Sequence, residues 1–502
     1  MAITKVCGIE TEYGIHVTGL GLDPVTASSL VVSAYKDSDW GTTNFDLSSE
    51  NPSSDARGVN LDDYLDPTID SKMLNTVLGN GARYYVDHAH PEYSSPECRT
   101  IRDAVLYDIA GENIVRESMN KANARLPDGV DISLFKNNSD GKCNSYGCHE
   151  NYLVSREIPF TQLATMITSH FVSRQIFCGA GKVGRESPTG STDPRGYQIS
   201  QRSDFFEEAI GLETTMKRPI VNTRDEPHCD SLKYRRLHVI AGDANMSQYA
   251  TFLKLGTTAL VLSMIEDECF PENLYIAHPV HAIKQISLDP SLSTTVLLAD
   301  GRRIDALDIQ QILCAKASEY ISSHESIGLN RHEAQSIIDE WSSTLDALRR
   351  NPDSLDTKID WIAKKKLVEG FQSRHKIDSG DPKLKAIDLM YHAIDEHKCL
   401  ANKMSLLKLV SLEESVAATH IPPRDTRAYF RGAVVTKWPD HIVNANWDSI
   451  VIDADDGPLR KVEMNEPLRG TQELVGPIIE QSSTVGELLV RLGNNSDSTG
   501  TV

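Results

Sequence analysis

Apolar and polar side chains take turns along residues 5–17, the pattern of a strand that sets one face against a core and the other against water. Within it, Ile9-Glu10-Thr11-Glu12-Tyr13 puts Glu10 and Glu12 on one face and Ile9, Thr11 and Tyr13 on the other. The spacing then lengthens to a helical period. Asp23-Pro24 supplies an N-cap and a first-turn proline for a helix to about Tyr35. Residues 102–126 carry Leu106, Ile109, Ala110 and Ile114 on one side, and Leu163, Met166, Ile167, His170 and Phe171 mark a further amphipathic helix to about Phe177. Residues 244–265 and most of 305–410 read as helices that pack outside a sheet. Ile421-Pro422-Pro423 breaks the pattern, and strands at 446–453 and 459–464 and a helix at 484–492 follow. The chain therefore divides into a large unit at 1–420, a small C-terminal unit at 421–493 and a disordered tail at 494–502.

One segment lacks either period. Residues 37–70 hold nine acidic residues against Arg57 alone, with Pro, Ser, Gly and Asn throughout. Such a stretch buries too little apolar surface to offset its ordering entropy, so it reads as a mobile loop reaching about residue 75, placed to act as a lid.

The stretch behind that loop carries the strongest candidate chemistry. Tyr84, Tyr85 and Val86 form strand between an Asn80-Gly81 turn and a His90-Pro91 turn, and a period of two puts Arg83, Tyr85 and Asp87 on one face, with Glu92 just beyond. A cation and two carboxylates there suit a phosphate and a divalent metal, with one carboxylate left for a substrate. A half-buried strand whose Arg83 and Asp87 pair with each other fits the same residues. Gly147-Cys148-His149-Glu150-Asn151 feeds a second strand, on which His149 is either a metal ligand or a structural residue. Residues 195–236 turn slightly basic, with Arg202, Arg224 and Arg236 among the groups able to read a carboxylate or phosphate. Trp447 is either core or a face for a planar ring.

Composition narrows the partners. A formal charge of −20 over 502 residues argues against nucleic acid. The N-terminus shows no signal pattern and no apolar run reaches membrane-spanning length, so the protein is expected in the cytoplasm. Nine scattered cysteines read as reduced thiols, and Cys143 and Cys148 lack the partners of a zinc site. Gly179-Ala180-Gly181-Lys182-Val183-Gly184 lacks the ending of a phosphate-binding P-loop.

Taken together, residues 8–14, 80–97, 147–156, 200–202, 222–228, 234–240 and 422–432 closely resemble the family containing the Pup ligase and the Pup deamidase/depupylase, in that family's order. The resemblance implies an α+β fold: a glutamine synthetase-like curved antiparallel sheet forming an open cradle, helices behind it and a small C-terminal domain. It implies Glu10, Tyr85 and Glu92 as ligands for Mg2+, Arg83 and Ser95 as contacts for ATP, Trp447 as the aromatic residue against the nucleotide and Asp87 as the catalytic residue; beside these, His149 is expected as a further metal ligand, Arg427 as a further ATP contact, and Arg202, Arg224 and Arg236 as substrate contacts. The acidic insert, with Asp55-Ala56-Arg57-Gly58, and the spelling Asp87-His88-Ala89-His90-Pro91-Glu92 resemble the deamidase/depupylase branch. The implied reactions are conversion of the C-terminal Gln of Pup to Glu and hydrolysis of the isopeptide bond between Pup and a protein lysine. ATP would act as a cofactor, with Pup and pupylated proteins as partners. The rival readings are a Pup ligase spending ATP, a non-catalytic nucleotide-binding regulator and a small-molecule carboxylate-amine ligase.

Overall fold

The computed structural model describes residues 1–19, 21–36, 41–48, 50–58, 74–454 and 457–495. The rest of the acidic stretch beyond residue 58 and most of the expected tail lie outside the described residues.

The alternating residues 5–17 form two strands, β1 (Cys7–Glu12) and β2 (Gly14–Thr18), because the chain leaves the main sheet at the buried Tyr13. Helix α1 (Pro24–Lys36) follows, with Asp23 Oδ1 accepting the Thr26 N–H at 3.0 Å as its cap. Strands β3 (Thr42–Asn44), β4 (Asn75–Leu78), β5 (Arg83–Asp87) and β6 (His90–Ser94) then run as neighbours. Helix α2 (Ile101–Asn123) leads to β7 (Asp131–Phe135), which pairs with β2, and to β8 (Cys148–Ser155). The strand Tyr234–Val239 completes a seven-stranded antiparallel sheet in the order Tyr234–Val239, β8, β1, β6, β5, β4, β3.

Helices cover one face of this sheet. Ile9, Tyr152, Val154 and Leu237 point into a core shared with the helices Phe160–Ser173 and Gln248–Glu266. Farther along, Tyr84, Val86 and Tyr93 pack on Ala27, Val31 and Tyr35 of α1 and on Ile114, Val115 and Met119 of α2. Every second residue of each strand is consumed by these contacts, which leaves the intervening polar set on the opposite, open face.

Two expectations change. His90-Pro91 is the start of β6 and not a turn; the hairpin turn is His88-Ala89, with His88 at φ +50°. The acidic segment is not structureless throughout its described part. Residues 42–44 add an edge strand, Phe45 bridges to Ala445, and its ring joins Phe430, Val434, Ile450 and Ile452 in the core of the C-terminal unit. That unit comprises helix Ala428–Lys437, a three-stranded sheet and helices Gln472–Gln481 and Val485–Asn495. It is therefore sewn to the sheet edge through the insert, in addition to the chain connection at Pro422-Pro423.

Candidate active site

Antiparallel register, added to the period of two, paves the open face. Glu10 lies opposite His149 on β8 and Ser94 on β6, and Glu12 lies opposite Glu92. In the β5–β6 hairpin Tyr85 is opposite Glu92 and Asp87 opposite His90, while His238 stands opposite Asn151 at the other side. Directly opposed residues share a face, so all these side chains meet over one floor.

They gather into two groups. Ligand atoms of Glu10, His149 and His238 lie within 4.8 Å of one another, and so do those of Glu12, Asp87 and Glu92. The expected metal residues Glu10 and His149 fall in the first group and Glu92 in the second, with Tyr85 at its side. Glu12 and His238 complete the groups and are not among the ligands that the family resemblance implies. Glu12 was visible as the i+2 partner of Glu10, whereas His238 reaches the site only through long-range strand pairing.

The charges explain what these groups can hold. Burial opposes ionisation of Glu10, yet the hydrogen bond with His149 and the charges of His238 and Arg236 hold its carboxyl well below the usual range. Burial likewise works against Glu12, but His90, His149 and Arg202 bring it down to about 2. Glu92 behaves oppositely: burial, then the like charges of Asp87, Glu12 and Glu10, push its carboxyl well above its ordinary value. Carboxylates crowded on a 2% exposed Glu92 fit a divalent cation, whose charge removes the penalty that burial and repulsion impose. Asp87 differs from Glu92 in access, with 31% of its side chain open and His88 Nδ1 at 3.0 Å from Oδ1.

A cleft adjoins the first group, lined by Glu10, Ser95, Asn151, Arg236, Arg427 and Trp447 among others. Three of the four expected ATP contacts thus share one cavity. Arg427 Nε is held by Glu97 Oε1 at 2.8 Å, and the same carboxylate binds Arg431, whose Cζ is 5.1 Å from the Trp447 ring. Ser95 Oγ accepts the Ile9 N–H at 2.9 Å, so its hydroxyl braces the cleft wall. Arg236, expected at the substrate, lines this cleft and donates to Asn151 Oδ1 at 2.6 Å.

Arg83 stands apart from the cavity. Its guanidinium is 4.0 Å from both the Phe45 and Tyr85 ring centres and bonds Glu50 at 2.9 Å, in place of the Arg83–Asp87 pair that sequence allowed. Glu50 comes from the acidic segment, which also meets the site's rim through the pairing of Asp55 with Arg224. Arg202 is 1% exposed beside Glu12, and its Nε and Nη1 find no hydrogen-bond partner among the described residues. Arg224 lies 3.6 Å from Glu226.

The profile of the Pup-ligase protein family matches residues 5–451. The chain belongs to this family. A depupylase of Acidothermus cellulolyticus is 44% identical over 97% of this chain and 99% of its own length. The Pup deamidase/depupylase of Mycolicibacterium smegmatis is 42% identical over 98% of this chain and all of its own. Among solved structures, the Pup ligase PafA in complex with ADP superposes with a TM-score of 0.73 at 36% identity, covering 81% of this chain and 89% of PafA. The family's α+β cradle is thus the fold seen here. No helix among the described residues is long and apolar enough to cross a membrane.

Proposed function

We propose that this chain is an amidohydrolase of the Pup pathway, converting the C-terminal Gln of Pup to Glu and cleaving the isopeptide bond that joins Pup to protein lysines. Two features support the reading: relatives bearing those activities match nearly end to end, and Asp87 is a partly open carboxylate grouped with Glu12 and Glu92 on the sheet face whose Glu10 lines the cleft. The second is the observation that carries the chemistry.

The cleft is read as a nucleotide site because a PafA structure holds ADP and because Trp447, Arg427 and Arg236 offer a ring face and cationic groups. Glu10, His149 and His238 would hold a divalent cation such as Mg2+, with Glu12 and Glu92 available for a second. When bound, such a cation supplies Lewis-acid stabilisation of negative charge. The nucleotide completes the site as a cofactor and is not consumed at each turnover.

Asp87 attacks the side-chain carbonyl of the terminal residue, giving after loss of the amine an anhydride that a water hydrolyses to free Asp87 and a terminal Glu, or it removes a proton from a water that attacks directly. The carbonyl oxygen gains negative charge as the carbon becomes tetrahedral, and Arg202, buried beside Glu12, contributes positive charge from below the floor. Collapse expels ammonia or the lysine amine, which must leave protonated; His88, 3.0 Å from Asp87, is the proton carrier at hand. Tyr85 and Arg83 brace the strand beneath, through the stack and the Glu50 pair.

The test is ammonia release from Pup ending in Gln, in the presence of ATP. Asp87→Asn should lower the rate about a hundredfold or more while nucleotide binding holds. Unchanged release by D87N would remove Asp87 from the chemistry.

A further inference from the structure

The hairpin that carries Asp87 turns on two residues, His88 and Ala89, because Asp87 stands opposite His90. His88 takes the turn at φ +50°, a left-handed backbone that costs a side chain other than glycine some stability. Such a tip relaxes unless its surroundings hold it, and Asp87, on the last rung, would move with it.

Helix α1 supplies the hold. It packs on both β5 and β6, with Ala27, Val31 and Tyr35 against Tyr84, Val86 and Tyr93. Ser28 stands on this buried face, one turn before Val31 and Val32, and is 0% exposed. A serine there is unfavourable twice over, since it forms helix less readily than alanine and its buried hydroxyl needs a partner. Inside a helix that partner is ordinarily a carbonyl of the preceding turn, as for Ser33, whose Oγ donates to Leu30 O at 3.0 Å. Ser28 instead reaches out of its helix, and its Oγ donates to the Ala89 carbonyl at 2.7 Å.

The bond thus ends on the turn itself, two positions beyond Asp87. Resting on the amidase reading, in which Asp87 acts at the substrate carbonyl, we infer that Ser28 is a positioning residue. Its hydroxyl fixes the turn and, through it, the Asp87 carboxylate beside Glu12 and Glu92 and the His88 ring 3.0 Å from that carboxylate. A carboxylate that attacks a carbonyl, or takes a proton from a water, tolerates little drift, because about 1 Å of misplacement costs on the order of a hundredfold in rate. Helix α1 lies on the covered side of the sheet, so the hydroxyl is out of reach of substrate and nucleotide. Its loss slows turnover without weakening either one's binding.

The experiment measures ammonia release from Pup ending in Gln, with ATP, for the full chain and for Ser28→Ala, Val31→Ala and Asp87→Asn. S28A, which replaces serine by a smaller and better helix former, should lower kcat about tenfold and keep KM for the Pup tail and the calorimetric affinity for ATP within about twofold. Amide hydrogen exchange at residues 87–90 should quicken in S28A. V31A removes apolar volume from the same helix face, so it should lower the thermal midpoint and keep kcat, which separates a held turn from a well-packed helix. Ser28→Cys, which keeps the volume with a weak donor, should lose kcat in the same direction and carries the test if S28A does not fold. A kcat unchanged in the serine variant, a loss matched in V31A, or a loss carried by KM overturns the inference, while turnover abolished in D87N leaves the amidase reading standing. Release untouched by D87N removes the amidase reading and this inference with it.

Discussion

Asp87 and Glu92 share one carboxylate group yet differ in what surrounds them: the first keeps an open side and the second is sealed. That difference in access follows from their places on the hairpin, since Asp87 ends β5 at the turn and Glu92 is central in β6, and the proposed division of labour, one acid for substrate and one for the floor, rests on it. In the wall of the cleft Trp447 presents its ring beside Arg431. Trp447→Ala should weaken nucleotide binding about tenfold, in the range of base–aromatic stacking, and calorimetric titration checks it. A different residue sets the acid behaviour of the fold. His170 is fully buried behind the sheet, and desolvation, with Arg174 nearby, keeps its pKa well below 6.5. Below pH 6.5 the unfolded chain binds a proton that the folded chain refuses, so stability is complete above that pH and falls as the solution is acidified. Thermal unfolding followed from about pH 7 to pH 5 should show a declining midpoint, and His170→Gln should flatten that decline.

Between elements, Glu97 is the hinge pin. It follows β6 and binds both Arg427 and Arg431 of the C-terminal unit; burial opposes its charge, but the two guanidiniums bring its pKa down to about 2. Its contribution is thus present above the ordinary 4.5 and lost as pH falls toward 2. Glu97→Gln leaves two buried arginines without their counter-charge, at a cost of about 3–5 kcal/mol. Faster hydrogen exchange across residues 428–495 would register the loosened unit, and exchange unchanged from the parent would refute the role. How the elements were foretold follows the same physics. Local period gave the faces: Arg83, Tyr85 and Asp87 together, Glu10 and Glu12 together, and the main helices to within a few residues. Register was not local, so neither Glu12 against Glu92 nor His238 beside His149 could be read from spacing. Average composition hides the order in the acidic segment, because Phe45 in the C-terminal core and Glu50 on Arg83 are single anchors. The family motifs supplied what period could not, which is the grouping of distant strands into one site.

Across the whole molecule, the site is a seam between two bodies. The sheet supplies Glu10, Asp87, Glu92 and His149, the C-terminal unit supplies Arg427 and Trp447, and a strap at 227–230 and the insert at 42–58 bind the two. In the proposed reading a protein tail enters the open floor while the nucleotide occupies the cleft lined by Arg427 and Trp447. The same seam would serve ligation as well as hydrolysis, so the direction of the chemistry is the point that matters most. Mass spectrometry of a Pup tail ending in Gln, incubated with the chain, ATP and Mg2+ and followed alongside the nucleotide pool, decides it. The account predicts a tail ending in Glu, free ammonia, and far less nucleotide hydrolysed than amide cleaved. A tail left as Gln despite bound nucleotide, or a Glu-ended tail joined to lysines with one nucleotide spent per bond, would contradict it.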